Sequence, residues 1–224
     1  MSGSSYRTNL RKEMIAFLPT NYDSVLEIGC GEGRFADNLT QGCDTWAIEQ
    51  EFQAADIASK TINTVIKGTY NQVSSKIPDQ YFDLVVCNDV IEHMEDPNGF
   101  LLSIKEKMKP NSFLIGSIPN VRFYKNLFEL LIKKDWRYKE KGVLDYTHLR
   151  FFTERSIYRL FSDNGFEVKS LFGINSAKFS TSMSTTIRRT IMFDLISIVS
   201  LGLFRDIQYR QYGFQAMKSI NPYP

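Results

Sequence analysis

Seven consecutive residues carry the strongest chemical signal in the chain, Glu27-Ile28-Gly29-Cys30-Gly31-Glu32-Gly33. Glycines are needed at such density where a chain turns sharply and a ligand must touch bare backbone. The stretch follows a short apolar run, Ser24 to Ile28, and leads into a segment of helical character, Arg34 to Thr40. A further acid, Glu49, closes the next apolar run 22 residues after Glu27. A strand, a glycine turn and a helix, followed by an acid at that distance, set a carboxylate where the ribose hydroxyls of a bound nucleoside lie. The dinucleotide form of this loop needs a third glycine at position 34, where this chain has Arg34. The turn is therefore not shaped for a pyrophosphate, which argues against a nicotinamide dehydrogenase. An adenosyl group without phosphate fits better, and Glu27 suits the ammonium of an attached amino acid.

The elements that must position this loop are legible from periodicity and punctuation. An amphipathic helix is expected over residues 6–18, ended by Pro19. Strands are expected at 24–28, 45–48, 61–66, 81–87 and 112–118, with helices at 34–40, 53–60 and 97–109 between them. Pro110 is expected to end the last of these helices. This alternation predicts a mostly parallel sheet with helices on both faces, and a ligand outside the carboxyl ends of the strands. The pattern breaks over residues 121–150. It resumes with a helix at 153–164, a strand near 166–172, an apolar helix at 187–204 and a last strand at 213–218. No linker or internal repeat is visible, so residues 1–224 are expected to form one domain.

Glu27-x-Gly29-Cys30-Gly31-x-Gly33 resembles the first motif of class I S-adenosylmethionine (SAM)-dependent methyltransferases. Phe82-Asp83-Leu84-Val85-Val86 and Val90-Ile91-Glu92-His93 resemble that family's fourth strand and the helix after it. Pro110 resembles the region before the fifth strand, although Asn111-Ser112 stands where glycine is usual. The resemblance spans about residues 20–120 and, more weakly, 150–220. It implies an α/β, Rossmann-like fold with a seven-stranded sheet, SAM as cofactor and S-adenosylhomocysteine as product. It assigns Glu27, Gly29, Cys30 and Gly31 to the methionine end of SAM and Glu49 to the ribose. Gln50 would lie beside the adenine, with Asn88 and Asp89 near the sulfonium. The aspartate that often bonds the adenine amine is replaced by Lys67-Gly68-Thr69-Tyr70, leaving a backbone carbonyl or Thr69 for that contact.

Residues 119–153 should choose the acceptor. Asp145-x-Thr147-His148-x-Arg150-Phe151-Phe152-Thr153 resembles bacterial methyltransferases of surface-polysaccharide and O-antigen biosynthesis. The resemblance implies a hydroxyl of a sugar or nucleotide sugar. Residues 121–150 hold eight Lys or Arg against four acids, which favours an anionic acceptor. Asn120, Arg122, Tyr124, Trp136, Arg150 and His93 are expected to line its site. A hydroxyl must lose a proton as it is methylated, and histidine titrates in the useful range. His148 is the candidate base, with Asp145 to orient it. Alternatives are an amine, a phosphate or phosphoramidate, a lipid-linked quinone-type acceptor, or a non-catalytic SAM-binding module.

Asp89, Glu92 and His93 are metal-ligand types, but neighbouring positions do not converge easily, and no metal is expected. A net charge of +2 and the lack of an N/D-P-P-Y motif argue against a nucleic-acid substrate. Cys30, Cys43 and Cys87 have no metal spacing and read as reduced thiols, which with the lack of a visible signal peptide suggests a cytoplasmic protein. The apolar run Ile191–Phe204 is too short to span a bilayer, and is expected to pack on the domain or to meet a membrane or partner protein.

Overall fold

A computed structural model describes residues 10–219 of the chain. The buried apolar runs form strands β1 (Ser24–Ile28), β2 (Asp44–Glu49), β3 (Thr64–Lys67), β4 (Phe82–Asn88), β5 (Met108–Pro119), β6 (Phe166–Ser176) and β7 (Tyr209–Lys218). They make one sheet in the order β3-β2-β1-β4-β5-β7-β6. The first five pair in parallel, whereas β7 runs antiparallel between β5 and β6. This is the expected seven-stranded, mostly parallel sheet. Its order reverses between β1 and β4, which opens a crevice at the carboxyl ends of these strands.

Helices α1 (Phe52–Ala58), α2 (Pro97–Lys107), α3 (Tyr124–Leu131), α4 (Glu154–Asp163) and α5 (Met183–Val199) complete the frame. Every residue of β1 is buried, because a parallel central strand is covered on both faces. Leu26 and Val85 pack on one face with Phe100 and Ile104 of α2 and Phe161 of α4. Val25, Leu84 and Val86, one residue out of phase, pack on the other with Met14, Phe17 and Phe35. Asp96 caps α2 through the Gly99 amide, and Pro97 occupies its first turn.

Four expectations change. The amphipathic helix at 6–18 is, within the described residues, a 3-10 turn at Lys12–Phe17, entered through Arg11 at φ 51°; residues 6–9 lie outside the described part. Met14 and Phe17 are fully buried, and Phe17 stacks on Phe172 with ring centroids 4.2 Å apart. The apolar spacing was real, but it serves one buried clip rather than a helical face. Arg34–Asn38 is likewise a 3-10 turn. Helix α2 ends at Lys107, and Pro110 lies inside β5, near the point where the β4–β5 register shifts. Helix α5 starts earlier and stops at Val199, so Leu201 to Phe204 are a turn.

Gly116 marks the tightest point of the central pairing. A Cβ there would lie 2.0 Å from the Cys87 carbonyl oxygen and 2.8 Å from the Phe214 ring. Gly116→Ala is expected to cost about 3 kcal/mol or more through forced overpacking. Thermal unfolding should show a midpoint lowered by roughly 5 °C or more.

Candidate active site

A cavity of about 650 Å³ sits over the carboxyl ends of β1, β2 and β4. The glycine loop forms its floor. Gly29 and Gly31 adopt φ 70° and 56°, a region that side chains disfavour. A Cβ on Gly29 would also press within 3.2 Å of Val90. Glu49 fastens the loop to the end of β2: its carboxylate accepts from the Gly31 amide at 2.7 Å and from the Glu51 amide at 2.9 Å. Each oxygen keeps a lone pair for a hydroxyl donor.

Two buried polar groups in the wall lack partners among the described residues. Asn88, the last residue of β4, has neither its amide nitrogen nor its oxygen bonded, and Glu27 has one unbonded carboxylate oxygen. Such groups are costly unless something completes them. Burial, together with the negative charge of Glu49, pushes the Glu27 pKa up to about 8. Gln50 and Cys30 also line the cavity, and Gly68, Thr69 and Tyr70 close its far end. The Cys30 thiol is pushed up by burial, which makes it an unreactive wall residue.

Asp89 lines the cavity beside Asn88. It stands at φ 54°, and its carboxylate accepts from Arg11 at 2.7 Å and from Ser117 and Gln211 at 2.6 Å each. It therefore braces the cavity wall that it lines. Arg11, buried and lining the cavity, is a residue the sequence did not signal, because it was hidden inside an apparent helix.

The expected acceptor residues divide. His93 and Thr147 stand at the rim of the cavity. Asn120 is fully buried and bonds the Asp206 and Tyr209 carbonyls. Arg122 pairs with Asp206 at 2.6 Å and lines a separate hollow. Tyr124 packs edge-on against Phe193, and Trp136 against Phe151. Arg150 donates to the Glu95 and Leu149 carbonyls. These five residues are engaged within the fold, and none of them lines the cavity.

His148 is largely buried, and its Nδ1 bonds the Val143 carbonyl at 2.9 Å. Asp145 does not orient the ring; its carboxylate accepts from the Thr147 amide and hydroxyl instead. The His148 ring stands edge-on to His93, with centroids 4.8 Å apart. Glu92, fully buried, lies beside both rings.

A methyltransferase-domain family model matches residues 5–171. The chain belongs to the methyltransferase domain family. Its fold is that of the class I SAM-dependent enzymes, and SAM is the cofactor this membership brings. The structure of a SAM-dependent methyltransferase from Archaeoglobus fulgidus superposes with TM-score 0.65 at 20% identity, over 97% of this chain and 95% of that one. A Haloferax volcanii methyltransferase, solved in complex with the Trm112 methyltransferase activator, gives 0.68 at 14% identity, over 97% and 92%. A ubiquinone biosynthesis O-methyltransferase of Rickettsia typhi is 29% identical over 67% of this chain and 62% of that protein. Its mitochondrial namesake from Schizosaccharomyces pombe is 34% identical over 42% and 36%. The chain thus spans less than two thirds of the length of these curated relatives. None of them is named for polysaccharide synthesis, so the expected O-antigen subgroup finds no support here.

The donor set fits SAM: Glu27 can hold an ammonium, Glu49 the ribose diol and Asn88 a polar group between them. Two outcomes follow for this methyltransferase. At pH 7 Glu27 is mostly protonated in the free protein, since its pKa of about 8 lies above the pH. A docked ammonium favours the carboxylate, so SAM binding should release up to about one proton and strengthen as pH rises toward 8. Calorimetry in buffers of different ionisation enthalpy should show this release, and Glu27→Gln should abolish it. Gly31→Asp should remove measurable SAM binding in the same experiment, by placing bulk and charge against the cofactor.

Proposed function

We propose that this methyltransferase transfers the methyl group of SAM to a hydroxyl of a small-molecule acceptor. The observation that carries the reading is the pair of incomplete buried groups, Glu27 and Asn88, in a glycine-loop cavity whose rim holds His93 and Thr147. Methyl transfer is an in-line displacement, with the electrophile supplied by the cofactor. The protein's task is to align the acceptor and help it lose a proton. The second task falls to the group formed by Glu92, His93 and His148 rather than to a His148–Asp145 pair.

The acceptor is a lipid-linked, quinone-type hydroxyl compound. Ile187, Ile191, Leu195 and Ile198 form an exposed apolar stripe along α5, and Phe128, Leu131 and Ile132 are exposed on α3 and at its end. These two helices pack on one another through Phe123, Leu127 and Phe193, and Lys133, Lys134, Arg188 and Arg189 lie nearby in sequence. An apolar surface of this kind, accompanied by basic residues, suits a membrane interface. No described helix is long and apolar enough to cross a membrane, so the contact would be peripheral. The names of the curated relatives support the same acceptor class. A second reading, a sugar or nucleotide sugar hydroxyl, draws on the stacked pair Tyr138–Tyr146 beside Thr147.

The test is S-adenosylhomocysteine formation with detergent-dispersed prenylated phenols against a panel of nucleotide sugars. Turnover with the phenols supports the first reading. Turnover with a sugar moves the assignment to the second, and silence with both overturns a hydroxyl acceptor of either kind. His148→Ala is expected to lower turnover by about 100-fold or more while SAM affinity changes only a few-fold. Turnover within a few-fold of the parent would remove His148 from the reaction.

A further inference from the structure

Glu92 and His93 share the 3-10 turn Ile91–His93 after β4, and His148 arrives from a segment 55 residues later. The two segments are stitched by main-chain bonds: the amides of Leu149 and Arg150 donate to the Glu92 carbonyl at 2.9 and 3.1 Å. One ligand atom from each of Glu92, His93 and His148 lies within 4.8 Å of the others. Ligands of a small divalent cation, bound at about 2.0–2.2 Å, lie roughly 3–4 Å from one another. A small closure therefore brings these three together on one ion.

Three features point to a built site. Glu92 is fully buried, and neither of its oxygens has a hydrogen-bond partner among the described residues. A buried carboxylate left without a partner is expensive, and a cation offsets that cost. Each imidazole is anchored by Nδ1 to a main-chain carbonyl, His93 to Thr147 at 3.1 Å and His148 to Val143 at 2.9 Å. A carbonyl accepts only, so each Nδ1 carries the hydrogen and each Nε2 keeps its lone pair. This is the outer support that metal-binding histidines require. Finally, His93 and Thr147 line the cofactor cavity, so the site opens beside the reacting centre.

We propose that Glu92, His93 and His148 bind a divalent transition-metal ion, such as Zn²⁺ or Mn²⁺, that receives the acceptor hydroxyl. Two imidazoles and one carboxylate favour such an ion over Mg²⁺ or Ca²⁺, and three protein ligands leave positions open. Resting on the function proposed above, the ion acidifies the acceptor hydroxyl, whose proton passes to solvent. The oxygen then forms its bond to the methyl carbon as the carbon–sulfur bond of SAM breaks, and the electron pair stays on the thioether sulfur. The expectation of no metal rested on the poor convergence of neighbouring residues; His148, distant in sequence, supplies the missing direction.

The test is metal binding by tag-free full-length protein stripped with chelator. Titration with Co²⁺ should give about one ion per chain and a visible ligand-field absorption that Zn²⁺ displaces. Glu92→Gln and His93→Ala should each weaken Co²⁺ binding by about 100-fold or more. Both should still bind S-adenosylhomocysteine, which shows that the fold and the cofactor site survive; His93 is exposed, so its variant guards against misfolding of the other. Substoichiometric Co²⁺ in the parent, or unchanged affinity in both variants, overturns the site. A cation site that behaves as expected without methyl transfer to any hydroxyl acceptor would refute the function and leave the site standing.

Discussion

The buried ion pair between Arg11 and Asp89 is the contact on which the site's geometry depends. Two charges taken out of water are costly, and here further hydrogen bonds offset the cost: Arg11 also bonds Ser117, and Asp89 receives Ser117 and Gln211. Four separate pieces of chain thereby meet at one carboxylate, from the N-terminal clip, the end of β4, β5 and β7. Asp89 is held at φ 54°, a conformation that a non-glycine residue keeps only when its surroundings fix it. The turn that follows carries Glu92 and His93, and Asn88 precedes it. Loosening this pair would therefore move the cofactor wall and the acceptor rim together.

Much of the frame was legible in the sequence. The parallel strands are short, apolar and bounded by turns, so local pattern and tertiary demand agree. Glu49 was placed at the end of its strand by spacing, while its hold on the Gly31 amide is visible only in the folded chain. The N-terminal clip was not legible, because Leu10, Met14 and Phe17 have helical spacing while two partners of Phe17, Phe172 and Gly213, lie more than 150 residues away. The acceptor region was read least well. Asn120, Arg122 and Arg150 have side chains suited to ligands, but the irregular cover leaves many main-chain carbonyls to satisfy, and these side chains satisfy them. The approach of His148 to Glu92 is a matter of chain crossing, which no local pattern encodes.

The cover also shows how one segment serves two duties. Residues 143–150 lie against the turn after β4 through the Glu92 carbonyl, and their neighbours pack beneath α3 and α5. The apolar outer face of these helices and the histidine at the cavity rim are thus parts of a single packed unit.

The antiparallel strand β7 has a consequence for how the molecule is made. It pairs with β5 on one side and β6 on the other, supplies Gln211 to Asp89, and sends Gln215 to the Phe17 carbonyl at 2.9 Å. During synthesis the parallel strands can pair first, but β5 then presents an unpaired, apolar edge, and the N-terminal clip lacks its contacts with Gly213 and Gln215. Only when residues 209–218 leave the ribosome does the central sheet lose that edge and the cavity gain its final brace. A nascent chain stalled before that point is a methyltransferase without a finished wall, and a natural client for chaperones.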